Sequence, residues 1–132
     1  MAVYMTAEQV QHFQAQAGKI LPLPGRGRLT TGQYASQLEA RYAGYLQTRV
    51  YAGEVHQVWY EPMGLRLAAK TFYHPDFMVQ LASGELEIHE TKGFMRDDAA
   101  AKLKVAARMY PCFRFVLVRW ARKQWTWTEI PG

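Results

Sequence analysis

Asp76, Glu90 and Lys92 stand inside two apolar runs, at 71–81 and 85–92, where Val or Ile would suit a buried strand. Between the runs lies Ala82-Ser83-Gly84. Three residues with glycine in the left-handed last position make a favoured hairpin closure. That closure pairs Leu81 with Glu85. Counting back, Gln80 meets Leu86, Met78 meets Ile88, and Asp76 meets Glu90, with Lys92 one step further on the same face. A two-residue Ser83-Gly84 turn would instead pair Asp76 with Thr91 and send Glu90 to the other face. On the three-residue register two carboxylates face each other directly and repel. Such a pair needs a cation, a shared proton or a metal. Lys92 supplies one positive charge. A hard divalent ion supplies two, and oxygen ligands with water suit Mg²⁺. The plainer use of the same charges is a salt-bridged hairpin face in which Lys92 neutralises Glu90.

The elements that must carry these residues follow from periodicity. TAEQVQHFQAQA (6–17) reads as a short helix, with Thr6 and Gln9 in capping-box spacing and Gly18 at its end. Residues 19–32 contain Pro22, Pro24, Gly25 and Gly27, which exclude regular structure, and Lys19, Arg26 and Arg28, which make the segment basic. It reads as a solvated linker or as an arm that tracks phosphates. Residues 33–52 form an amphipathic helix with Ala35, Leu38, Tyr42 and Tyr45 on its stripe, Glu39 beside the stripe, and Gly53 just past its end. Strands are expected at 54–60, 65–69, 71–81 and 85–92, then a helix opened by Asp97 and Asp98 and followed by Pro111. FRFVLVRW (113–120) reads as a buried strand and WTWTEI (125–130) as an edge strand. The order predicts a mixed α/β sheet with helices packed on it.

The chain has 132 residues, 49% hydrophobic and 20% charged, with a formal net charge of +5. This suits one globular domain and excludes a disordered polyelectrolyte. The basic balance favours polyanionic partners, nucleic acid first among them. A single cysteine, Cys112, excludes an internal disulfide framework and a multi-cysteine zinc site. No apolar run approaches the roughly 20 residues of a membrane span. The opening MAVYMTAEQVQHF lacks the basic-then-apolar pattern of a secretory leader. A reducing, cytoplasmic setting without membrane attachment is expected.

Pro75-Asp76, followed fourteen positions after the aspartate by Glu90-Thr91-Lys92, resembles the PD-(D/E)xK nuclease superfamily. The upstream helix with Glu39 in SQLEARY is similar to that superfamily's first element. More narrowly, SQLEARY, YHPDF, HETKGF and the later FVLV together resemble a family of small phage-encoded endonucleases, over about residues 30–120. The resemblance implies a restriction-endonuclease-like αβββαβ core with a mixed sheet flanked by helices. It divides the chain into an N-terminal helix and basic linker over 1–29 and a nuclease domain over 30–132. It implies Mg²⁺-dependent hydrolysis of DNA phosphodiesters, with Mn²⁺ as a substitute. By analogy the enzyme would be structure-selective on branched DNA or Holliday junctions in phage recombination, acting in the host cytoplasm. Asp76 and Glu90 would be metal ligands, joined by the carbonyl of Thr91 and by Glu39 directly or through water. Lys92 would orient the attacking water, while Lys102, Arg26 and Arg28 would contact DNA. A homodimer is compatible with this reading. The rival expectation is a non-catalytic nucleic-acid-binding module on the same fold.

His74 lies on the face of Asp76 by this register, and His89 lies on the face opposite Glu90. Trp59, Trp120, Trp125 and Trp127 could stack bases, although Trp125 and Trp127 at alternating positions more often pack a sheet edge.

Overall fold

The computed structural model describes residues 34–93 and 97–132. The predicted helix at 6–17 and the basic segment with Arg26 and Arg28 lie outside the described residues. The first described helix, α1, spans Gln37–Tyr51. It starts four residues later than the periodicity predicts, because Ser36 caps it: the Ser36 side chain accepts the Glu39 backbone N–H at 3.1 Å. Gly53, at φ 78°, ends it as expected. The buried stripe is Glu39, Ala40, Tyr42, Ala43 and Leu46. Ala35 precedes the helix and is exposed, and Glu39 lies within the stripe and not beside it.

Five strands form one sheet: β1 (Val55–Tyr60), β4 (Phe77–Leu81), β5 (Leu86–Thr91), β6 (Arg114–Ala121) and β7 (Gln124–Ile130), in the order β1-β4-β5-β6-β7. The β5–β6 pair is parallel and the other neighbours are antiparallel, so the sheet is mixed. The parallel connection is made by α2 (Asp97–Met109). β2 (Leu65–Ala68) and β3 (Thr71–Tyr73) form a separate hairpin. The run expected as one strand over 71–81 is thus two strands. Pro75 has no N–H to give a ladder, so pairing lapses before Phe77. Asp76 therefore sits at the mouth of β4 and not within it.

Alternation along the strands splits the core into two layers. On one face Tyr42, Ala43 and Leu46 of α1 pack on Val58, Phe77, Val79, Val116 and Val118. On the other, Leu103, Ala106 and Ala107 of α2 pack on Trp59, Met78, Ile88, Phe115 and Leu117, with Leu65 and Tyr73 of the β2–β3 hairpin closing the layer. No helix among the described residues is long and apolar enough to cross a membrane.

The β4–β5 turn is the three-residue closure. Leu81 N–H donates to the Glu85 carbonyl at 2.9 Å, and Gly84 N–H to the Leu81 carbonyl at 2.8 Å. Gln80 pairs with Leu86, Met78 with Ile88 and Phe77 with His89. Gly84 has φ 95°, and a Cβ there would touch nothing within 4 Å. The cost of a side chain is therefore purely backbone strain. Gly84→Ala should lower unfolding free energy by roughly 1–2 kcal/mol in urea denaturation, and Gly84→Asn by less, since Asn tolerates left-handed backbone. Equal stability of all three proteins would contradict this reading of the turn.

Candidate metal centre

Lys92, Glu90 and Asp76 come together where β5 ends. Asp76 lies just beyond the last β4–β5 pair, Phe77–His89, near enough to Glu90 for the two charges to interact. Asp76 is anchored at both ends: its carbonyl accepts Glu61 N–H at 2.8 Å, and its Oδ2 accepts Thr91 N–H at 2.9 Å and Thr91 Oγ1–H at 3.1 Å. Glu90 is buried; its Oε2 accepts the Tyr73 hydroxyl at 2.7 Å and its Oε1 lies 3.2 Å from Lys92 Nζ. The backbone of Lys92 is fixed in turn, its N–H donating to the Val118 carbonyl of β6 at 3.0 Å. Lys92 is half-buried, with its side chain 35% exposed.

The electrostatics follow from burying two acids beside one base. Burial pushes Asp76 up from 3.8 to about 7, and the charge of Glu90 adds to the rise; Thr91 N–H and Lys92 oppose it, and Glu39 adds a smaller push upward. Glu90 is also raised by burial, against the Tyr73 hydrogen bond and Lys92. Burial pulls Lys92 down, but the charges of Glu90 and Asp76 outweigh it and hold Lys92 above its ordinary value. Tyr73 is raised by burial and by Glu90, so it stays a protonated donor. The pair thus carries more negative charge than Lys92 neutralises once both acids ionise.

Glu39 is buried and its charge reaches Asp76, yet its own contacts lie elsewhere. Its Oε1 accepts the Tyr60 hydroxyl at 3.1 Å and its Oε2 accepts the Ser36 hydroxyl at 2.9 Å. Lys102 of α2 lines a cavity of about 170 Å³ with Phe72, Tyr73, His74, Glu90 and Leu103. Thr91 shares the locality through its N–H and hydroxyl, both spent on Asp76. Among the described residues no group of three or more His, Cys, Asp and Glu side chains is disposed to hold a metal ion. Mg²⁺ sites keep several waters and commonly use one or two carboxylates plus substrate phosphates.

Two participants escaped the sequence. Tyr73 reaches Glu90 only because β3 folds back over the α2 face, and Tyr60 holds Glu39 only because β1 packs on α1. On the opposite face His89 is buried as the alternation predicts. Its Nε2 donates to Glu87 at 2.9 Å, its Nδ1 accepts from the Tyr42 hydroxyl, and that hydroxyl accepts Trp127 Nε1–H at 3.1 Å. Burial lowers His89, which favours the neutral imidazole, and each N–H and O–H of this Trp127–Tyr42–His89 series finds an acceptor. This network is complete in itself, whereas the Asp76–Glu90 pair is not.

No protein-family model, curated protein or solved structure matches the chain.

The raised Asp76 sets a pH dependence. Between 3.8 and about 7 the folded protein holds a proton that the unfolded chain has released. The contribution of this group to stability therefore falls as pH rises through that window. Chemical denaturation without divalent ions, at several pH values across it, should show that fall, and Asp76→Asn should flatten it. The same slope in both proteins would contradict the geometry.

Proposed function

We propose that the chain is a divalent-metal-dependent DNA endonuclease. The observation that carries the reading is the convergence of Asp76, Glu90 and Lys92 at one end of the β4–β5 hairpin, with the aspartate driven up to about 7 by burial and its acidic neighbour. A folded protein keeps two such acids together at a cost, and a site that takes up a cation gives the cost a purpose. The element order supports the reading further. With the β2–β3 hairpin set aside as an insertion, helix α1, strands β1, β4 and β5, helix α2 and the parallel strand β6 are compatible with the αβββαβ order of the PD-(D/E)xK nucleases that the motif resembles.

The roles follow from the contacts. Asp76 and Glu90 would hold the ion. When bound, it polarises the phosphate and lowers the pKa of an attacking water. Thr91 aims the Asp76 carboxylate through two hydrogen bonds. Tyr73 steers Glu90 by holding its Oε2, which leaves Oε1 turned toward Lys92. The Lys92 ammonium, drawn to the rim by Glu90, is placed to orient water and to stabilise charge developing on the phosphate. Lys102, at the wall of the adjoining cavity, is placed to meet a flanking phosphate. Glu39 acts at a distance, as a negative charge that makes the Asp76 locality more attractive to a cation. The Lys92–Glu90 ion pair favours a second reading, a structural salt bridge on a binding module, because it neutralises one carboxylate without a metal.

Cleavage and binding separate the two. Glu90→Gln keeps the volume and removes a charged ligand. Mg²⁺-dependent cleavage of supercoiled or four-way DNA should fall by about two orders of magnitude or more, as losing several kcal/mol of metal catalysis requires. Affinity for DNA without metal should hold or rise. Lys92→Ala should lower cleavage and affinity together. A parent protein that binds DNA but cuts no form of it with Mg²⁺ or Mn²⁺ would leave only the binding module.

A further inference from the structure

At the rim that bears Lys92, strands β6 and β7 run on past the rest of the sheet. The last β5–β6 pair is Thr91–Val118, while β6 and β7 continue to pair through Arg119–Thr126, Trp120–Trp125 and Ala121–Gln124. Three further residues at the rise of a strand carry this two-stranded ribbon about 10 Å beyond β5. A two-residue turn, Arg122-Lys123, closes it. Both residues are left-handed, with φ 52° and 59°. That is the backbone of a type I′ turn, for which Asn-Gly is the unstrained choice. The ribbon instead places two long cations there, both exposed.

Arg119 adds a third exposed cation. It follows Val118, whose carbonyl accepts the Lys92 N–H, so Arg119 lies beside Lys92 on the neighbouring strand and, by alternation, on the same face. Among the described residues Arg119, Arg122 and Lys123 have no acidic partner. The ribbon is also stiffened at its base. Trp120 and Trp125 pack at 4.7 Å between ring centroids, Trp125 meets Tyr42 of α1 at 4.9 Å, and Arg41 of α1 lies 4.8 Å over the Trp120 ring. Among the described residues these three exposed cations on a projecting ribbon meet no carboxylate, which leaves them available to an anion.

We infer that the β6–β7 ribbon is a docking arm for duplex DNA, its Arg122-Lys123 tip and Arg119 gripping backbone phosphates so that the strand passes over Lys92. This rests on the nuclease reading for the identity of the substrate. A two-stranded ribbon fits a B-DNA major groove, which is about 12 Å wide. The Trp pair serves as an anchor and not as a base-stacking platform, since its rings are committed to each other, to Tyr42 and to Arg41.

The test is the double substitution Arg122→Asn/Lys123→Gly, alone and with Arg119→Gln. Asn-Gly keeps the turn, so the melting temperature should be unchanged or higher. Binding to a DNA duplex without divalent ions is measured across a salt series. Losing two phosphate contacts should reduce the slope of log affinity against log salt by about 2, and Arg119→Gln by about 1 more. Unchanged slopes and affinities would overturn the arm. So would loss of binding to anionic phosphatidylserine vesicles with DNA binding intact, which would make it a membrane contact. Cleavage is scored separately with Mg²⁺ at saturating DNA. A parent that never cuts, with the slope change intact, removes the enzyme and leaves the arm; cutting with an unchanged slope removes the arm alone.

Discussion

Side chains alternate across a strand, so a slip of one residue between β4 and β5 would send Glu90 to the face of α1 and leave Asp76 without its acidic neighbour. The register of that pair is the constraint on which the rest of the site depends. It is fixed locally by the left-handed Gly84 and the two hydrogen bonds of the turn. It is fixed globally by the alternation that buries Phe77 and Val79 under α1, and Met78, Leu86 and Ile88 under α2. A slip would exchange those two sets and expose each layer to the wrong helix. The packing of the whole sheet therefore holds the carboxylates in place, far more firmly than the contacts of the carboxylates do.

The two faces of β5 show two ways of burying charge. Toward α1, Glu87 and His89 satisfy one another, and Tyr42 and Trp127 complete the chain of donors. Toward α2, Glu90 has Tyr73 and Lys92, while Asp76 relies on Thr91. The first arrangement is a continuous series of hydrogen bonds within the protein. The second leaves two buried acids beside one base: burial first, and the charge of Glu90 second, drive Asp76 up to about 7. Buried polar groups that are only partly compensated mark places where function has taken precedence over stability.

The sequence was most informative where local rules and global packing agree. Ala82-Ser83-Gly84 gave the turn because glycine is the residue such backbone favours, and the turn then gave the Gln80–Leu86 and Met78–Ile88 pairs. The mixed α/β class, α2 with its acidic start, and the two C-terminal strands followed from periodicity. Other features depend on contacts distant in sequence. Nothing near Tyr73 shows that β3 folds back over α2. Glu39 lies within the stripe because its neighbours on the helix surface, Ala43 and Leu46, are buried, while Ala35 is exposed and Leu38 and Tyr45 are only partly buried. The closure of β6–β7 was missed because Arg-Lys is a poor type I′ sequence, and that same strain marks the ribbon as more than a connector. Arg26 and Arg28 precede the described residues, so the part they play lies outside this geometry.

The central claim is that Asp76 and Glu90 form a divalent-metal site. Direct Mn²⁺ titration of the protein without DNA, followed by calorimetry in two buffers near pH 7, tests it most directly. The account predicts saturable binding that releases a proton, because the ion displaces the one that Asp76 partly holds at that pH. Asp76→Asn should abolish both the binding and the buffer dependence. Mn²⁺ binding that survives Asp76→Asn unchanged, or no saturable binding by the parent protein, would contradict the account.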